Sequence, residues 1–153
     1  LEPARKQLGS PAPVLGPNVV DRYQCYKAKI LTKRCSGDPT RACKTDAACG
    51  GDGPCLGKFP KGVEITLTDQ FAAGKRFSVV KPTRLCSPAL ANGDPVQSPD
   101  GHLMCFQVKP AAGFTKHVPQ IGVVHTTTQL ARERLDTVVE DEVCVPSLEL
   151  SEN

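Results

Sequence analysis

The chain has no tryptophan, two tyrosines, five phenylalanines and a single methionine in 153 residues. With so few rings to stack on bases, and a net charge of only +3 spread along the sequence, a nucleic-acid-binding surface has little support. No stretch approaches the roughly 20 consecutive apolar residues of a membrane-spanning helix. The three histidines, His102, His117 and His125, form no His-Glu-x-x-His or comparable pair, and each reads as a surface or hydrogen-bonded residue. No serine sits in a Gly-x-Ser-x-Gly elbow, no Cys-x-x-Cys-His occurs, and "CGGDGP" (49 to 54) lacks the Lys-Ser/Thr pair and following helix of a phosphate loop. Glu140 and Asp141 lie in an acidic run, "EDE", that reads as a solvated edge or turn. General acid and base work therefore has no constellation to carry it, an enzyme is the least supported class, and no cofactor is implied.

Proline, glycine and cysteine are plentiful instead. Fourteen Pro and 13 Gly among many Val, Thr and Leu favour short strands joined by turns over long helices. Eight cysteines, an even number and high for this length, are the pattern of an oxidising compartment, and all eight are read as disulfides. The chain starts at Leu1 with neither a methionine nor an apolar leader. It reads as a mature exported chain with its signal peptide removed, or as an excised fragment, with an extracellular or cell-surface location.

The sequence also resembles itself. "RYQCYKAKI" (22 to 30) parallels "HLMCFQVKP" (102 to 110), "RLCSPAL" (84 to 90) parallels "EVCVPSL" (142 to 148), and "QFAAGKRFSVV" (70 to 80) parallels "QLARERLDTVV" (129 to 139). Such self-similarity is the signature of one supersecondary unit used twice. Cys25 and Cys86 are 61 positions apart and Cys105 and Cys144 are 39 apart, so the first half carries 22 extra residues (61 less 39). A cysteine-rich insert, residues 33 to 57, supplies them. Each half should give about three strands, "YQCYKAKIL", "VEITLTDQF" and "RFSVV" in the first and "LMCFQVK", "IGVVHTTT" and "LDTVV" in the second. The stretch from Gln129 to Leu135 also admits a helical turn or two.

The expectation is a mainly β protein: a small disulfide-stapled sandwich or barrel of two similar halves, with an extended N-terminal arm. Its parts are a Pro-rich arm (1 to 20), a first half (21 to 90), a linker rich in turn residues (91 to 101) and a second half (102 to 150).

The insert places Cys35, Cys43, Cys49 and Cys55 within 21 residues, spaced Cys-x7-Cys-x5-Cys-x5-Cys. Structural zinc sites present paired ligands two to four residues apart, so disulfides are preferred to zinc, and the pairing stays open. Asp38, Asp46 and Asp52 are oxygen donors in a Gly-rich loop, but they lack the alternating donors and twelfth-position Glu of an EF-hand. They read as turn residues, with calcium as the alternative. The other four cysteines sit at equivalent places in the two halves. The preferred pairs are Cys25 with Cys86 and Cys105 with Cys144, and the competitor is Cys25 with Cys105 and Cys86 with Cys144.

The landmarks "QCYKAK", "LTDQF", "KPTRLCSPAL", "HLMCFQVK" and "CVPSL" resemble an uncharacterised family of exported bacterial domains. Those domains are built of half-repeats in which a Cys-Tyr-Lys strand is followed by an Asp-Gln-Phe turn and a Leu-Cys-x-Pro ending. The resemblance spans roughly residues 22 to 148 and implies compartment and architecture, with no activity attached. The second half departs from it with "TTQLA" in place of the Asp-Gln-Phe turn.

The arm, with Leu8, Val14, Leu15, Val19 and Val20 among its prolines, is ordered most economically by lying along its own sheet or a neighbour's. The leading functional expectation is a structural, self-associating extracellular protein, a subunit of a filament, sheath or surface layer and hence a homo-oligomer or polymer. The alternatives are a monomeric binding module for a glycan or surface partner, using the linker and the insert, and an accessory subunit of a larger exported complex.

Overall fold

The computed structural model describes residues 5–8, 21–128 and 130–148. Eight strands run in chain order: β1 (Arg5–Leu8), β2 (Arg22–Lys27), β3 (Glu64–Leu67), β4 (Lys75–Ala89), β5 (His102–Pro110), β6 (Gln120–Thr127), β7 (Arg132–Thr137) and β8 (Glu142–Ser147). Among the described residues helix is confined to one 3-10 turn, Asp46–Cys49, in the insert. The protein is mainly β, as the scarcity of long helical patterns and the wealth of turn residues imply.

β4 organises the larger sheet. Its C-terminal part pairs with β2, its N-terminal part with β3, and its other edge with β5, which in turn takes β8; every pairing is antiparallel. The order β2-β4-β5-β8, with β3 beside β4, makes five strands. β6 and β7 form a separate hairpin sheet to which β1 adds a third strand, Leu8 opposite Val124 and Arg5 opposite Thr127. A bulge sits in β6 between Gln120 and Val124, at Gly122, whose φ of 60° an L side chain rarely adopts. The Asp136 carboxylate accepts the Gly122 N–H at 2.5 Å.

Neither sheet closes on itself, so the barrel alternative is not realised. The segments 21–90 and 102–148 meet edge to edge, through the β4–β5 ladder. The reason lies in the last strand of each segment. β4 runs unbroken for 15 residues and can serve two neighbours on one edge. In the later segment the corresponding stretch breaks at residues 138–141 into β7 and β8, which join different sheets. Two contacts hold that break. The Glu140 carboxylate pairs at 2.5 Å with Lys75, a lysine only 8 % exposed, and the Asp141 carbonyl accepts the Val108 N–H at 2.9 Å. Of the stretch Gln129 to Leu135, which also admits a helical turn or two, residues 132–135 are strand, within β7, and Gln129 lies outside the described residues. Propensity yields here to hairpin pairing with β6.

The two hairpin turns use one hydrogen-bond pattern with different residues. At Asp69 the N–H bonds the Ala72 carbonyl at 2.9 Å, and one carboxylate oxygen accepts the N–H groups of Phe71 and Ala72 at 2.8 and 2.9 Å. At Thr128 the N–H bonds the Ala131 carbonyl at 2.9 Å, and the hydroxyl oxygen accepts the N–H groups of Leu130 and Ala131 at 3.1 and 3.0 Å. A threonine hydroxyl thus does the work of the aspartate, more weakly because it is uncharged. At the departure of "TTQLA" from Asp-Gln-Phe, the Thr128 hydroxyl accepts two N–H groups as the Asp69 carboxylate does.

The linker is tied to the start of β2. Asp21 accepts the N–H groups of Gln97 and Ser98 at 2.6 and 2.8 Å, and Arg22 pairs with Asp94 at 2.6 Å. These contacts hold the long connection against the sheet, so β5 is delivered to β4 in one register.

The paired turns generate a test. Asp69→Ala removes an acceptor from two backbone donors and should cost about 0.5–1.5 kcal/mol in urea unfolding. Thr128→Asp should be neutral or stabilising, and Thr128→Val should lose stability. An Asp69→Ala variant of unchanged stability would contradict the account of the turn.

Candidate functional site

Five of the eight cysteines are among the best-buried of the described residues. Among the described residues Cys35, Cys49, Cys86 and Cys105 are the largest side chains that are fully buried, and Cys43 joins them at 6 % exposure. The apolar remainder of the buried set is Phe77, Val108, Ala111 and Val124.

Cys25 is bonded to Cys86 and Cys105 to Cys144. In each pair the two residues face one another directly across neighbouring strands, in registers Cys25↔Cys86 and Cys105↔Cys144. Cys86 stands opposite Leu103, two residues from Cys105, so the two disulfides are diagonal neighbours on one face of the sheet. The Cys86 and Cys105 sulfurs lie 3.9 Å apart. Neither carries a proton, so this is van der Waals contact between two bridges, and together they cross β2, β4, β5 and β8.

The insert is a closed knob on a two-stranded neck. Lys33 N–H bonds Leu56 O at 2.8 Å, Leu56 N–H bonds Arg34 O at 2.9 Å, and Cys35 bridges to Cys55 as a β-pair. Inside, Cys35 is bonded to Cys49 and Cys43 to Cys55, and the knob's core consists of these sulfurs. Gly53 has φ 75°, and a Cβ there would run into the Ser36 side chain, so the loop requires glycine.

The three aspartates of the insert are each engaged with protein. Asp38 accepts the Thr40 hydroxyl at 2.6 Å and the Thr40 N–H at 3.0 Å; the hydroxyl, followed by the N–H, holds its carboxyl below the usual carboxylate range. Asp46 accepts the Cys55 N–H at 2.9 Å, and Asp52 pairs with Arg41 at 2.5 Å. They cap, tie and pair the loop. Donor atoms do come within 4.8 Å of one another in two groups, Cys35–Cys43–Cys49 and Cys105–Glu142–Cys144. Every sulfur in them is in a disulfide, whereas metals bind the thiolate.

The histidines are spread apart. His102 Nδ1 lies 3.2 Å from the Ser87 hydroxyl, and His117 Nε2 lies 2.6 Å from the Thr137 hydroxyl with its ring edge-on to Phe71. His125 stands on β6 opposite Arg134. The acidic run is less solvated than it reads. Glu140 neutralises Lys75, and Glu142 accepts the Thr83 hydroxyl at 2.6 Å.

Of the arm residues, Leu8 lies in β1, with its backbone opposite Val124. Val14, Leu15, Val19 and Val20 lie outside the described residues.

A feature missed in the sequence is a cleft of about 630 Å³ at the seam of β2, β4, β5 and β8, lined by Lys27, Lys29, Lys81 and Arg84 among others. These cations are scattered over 58 positions of the chain, and their convergence depends on strand register, for which no local signal exists.

No family model, no curated protein and no solved structure matches this chain. All eight cysteines are in disulfides, the chemistry of an oxidising compartment. Among the described residues no helix is long and apolar enough to cross a membrane.

The disulfides generate a second test. Peptide mapping of the unreduced protein should recover the four bridges and no alkylatable thiol. Replacing Cys105 and Cys144 together by Ser should cost about 2–5 kcal/mol. The matching Cys43 and Cys55 double variant should increase protease sensitivity of residues 36–54 and leave the sheet's unfolding midpoint almost unchanged. Equal global losses from both double variants would contradict the separation of knob from sheet.

Proposed function

We propose that this is a structural, self-associating extracellular protein whose N-terminal arm supplies a strand to a neighbouring subunit. The observation that carries the reading is the β1–β6 pairing. Four arm residues already lie antiparallel along the outer edge of the β6–β7 hairpin, so the arm is a strand in donor form and β6 is its acceptor.

Strand addition needs a segment that offers main-chain hydrogen bonds and a sheet edge that receives them; the arm is the first and the β6 edge the second. Twelve residues separate β1 from Asp21; a connection of that length reaches at most about 40 Å when extended. The same pairing is therefore available between subunits, with the bonds of the closed form exchanged one for one. An exchange that runs head to tail without closing gives a filament or sheath.

The surface around the acceptor hairpin supports association. Val118, Ile121, Leu130, Val138 and Val139 are 66–80 % exposed on or beside β6 and β7, a concentration of apolar side chains that marks interaction surfaces. We infer further that the parallels between residues 21–90 and 102–148 reflect two copies of one unit. The matched turns at Asp69 and Thr128 and the matched cross-strand cysteine pairs support this. On this reading the face-to-face sandwich expected within one chain forms between open sheets of neighbouring subunits.

The test compares the full chain with a variant lacking residues 1–8 and with a Lys6→Pro, Gln7→Pro double variant, which keeps the arm's length but, whichever of the two faces β6, removes a main-chain donor from the β1–β6 ladder. Negative-stain electron microscopy and sedimentation should find extended assemblies for the full chain alone. A full-length chain that stays monomeric at high concentration overturns the proposal.

A further inference from the structure

A cleft opens at the β4 bulge, and its origin lies in how β4 is shared. One edge of β4 is covered by β2 at residues 84–89 and by β3 at residues 75–78. Between them the edge is left bare, closed at its ends by Ala28 N–H to Thr83 O and Val79 N–H to Val63 O, both 2.8 Å. On the opposite edge the register with β5 shifts between Val79 and Lys81 and again between Pro82 and Arg84. Pro82 has no N–H to give to a ladder, and a bulge is where a sheet tolerates it. The strand is thereby kinked where its neighbours withdraw, and the segment 28–32 leaving β2 passes beside the gap as a wall.

Cations converge on this hollow. Lys27, opposite Arg84 in the β2–β4 register, Lys29 and Lys81 are exposed, and none of the three has a carboxylate partner among the described residues. Arg84 Nε lies 3.5 Å from Glu142, which also holds the Thr83 hydroxyl, so that carboxylate is already engaged. Four cationic side chains thus face two carboxylates, those of Asp141 and Glu142, in a concave site where field lines concentrate. The remaining lining includes Thr32, Gln107, Ile30 and Pro82: hydroxyl and amide groups beside aliphatic surface. No lining residue is aromatic, so the stacking that single-stranded nucleic acid requires is missing. Cations for an acidic group, amide and carboxylate acceptors for hydroxyls, and aliphatic surface for ring C–H groups together fit an acidic sugar.

We propose that the cleft binds an acidic oligosaccharide, with Lys27, Lys29 and Lys81 holding its carboxylate or sulfate groups and Asp141 and Gln107 receiving its hydroxyls. The site is separate from the β1–β6 edge, and neither Lys27, Lys29 nor Lys81 is used in the sheet's ion pairs. Assembly and glycan attachment are therefore separable properties of one chain.

The experiment is isothermal titration of the full chain with oligogalacturonide, a neutral cello-oligosaccharide, oligothymidylate and inorganic phosphate, in low salt without divalent cations. Oligogalacturonide should bind and weaken as salt rises. The Lys27→Gln, Lys81→Gln double variant should weaken it by about tenfold or more, since charged contacts add across a focused site. A Lys58→Gln control, outside the cleft, should be unaffected. These lysines are exposed, and unchanged circular dichroism will establish that the variants fold. No binding of oligogalacturonide at millimolar concentration overturns the proposal. So does equal binding of the neutral sugar, equal binding of oligothymidylate, binding of phosphate alone with the same affinity, or a double variant indistinguishable from the control. Because assembly is read separately by sedimentation, failure here leaves the strand-donation proposal standing or falling on its own result.

Discussion

The contact between the Cys86 and Cys105 sulfurs is the point on which the larger sheet depends. A five-stranded open sheet normally buries one face under a second layer, and that buried face sets its register. Here the described residues give little of such a layer, and the fully buried side chains are half-cystines. The two bridges replace what a core would do. Each fixes the register of one strand pair covalently, and their 3.9 Å contact across the β4–β5 ladder brings the two fixed pairs together. Val108 and Phe77 are also buried along the β4–β5 ladder, but the register turns them to the opposite face of the sheet from the two bridges.

Several other features are consequences. With β4 and β5 locked side by side, the break at residues 138–141 sends β7 away from β8, and the Lys75–Glu140 pair closes the gap that results. The buried ammonium needs its carboxylate there, because an unpaired charge at that depth is costly. The divergence frees the β6–β7 hairpin to hold β1, and the sharing of β4 by β2 and β3 opens the cationic cleft. The knob is independent of all this, since its neck returns the chain at Leu56 to the place it left at Lys33. Two sulfur-built units, one for the sheet and one for the knob, therefore carry a chain that buries few aromatic and aliphatic side chains.

Much of this was open to a reading of residues, for identifiable reasons. The strands around Cys25, Val63–Leu67, Phe77, Cys105 and Val124 announce themselves by alternation and by bounding turns, and turn chemistry marks the linker. The edge-to-edge joining of the two segments was not legible, because it is decided by long-range register and by a bulge at Pro82 whose partner strand lies about 25 residues on in the chain. Nor was the role of Thr128, since a hydroxyl and a carboxylate are dissimilar letters that accept the same two N–H groups. The acidic run misled for the opposite reason. Glu140 and Glu142 look like a solvated edge until Lys75 and Thr83 are brought to them by strands more than 50 positions away. The convergence of Lys27, Lys29, Lys81 and Arg84 was hidden in the same manner.

Native-state hydrogen exchange, followed amide by amide before and after reduction of the disulfides, tests most directly whether the paired bridges are the structural centre. The account predicts that the slowest amides lie in the β2, β4, β5 and β8 ladders around Cys86 and Cys105, and that reduction removes their protection first and across all four strands together. Slowest exchange in the β6–β7 hairpin, or β4–β5 protection that survives complete reduction, would contradict it.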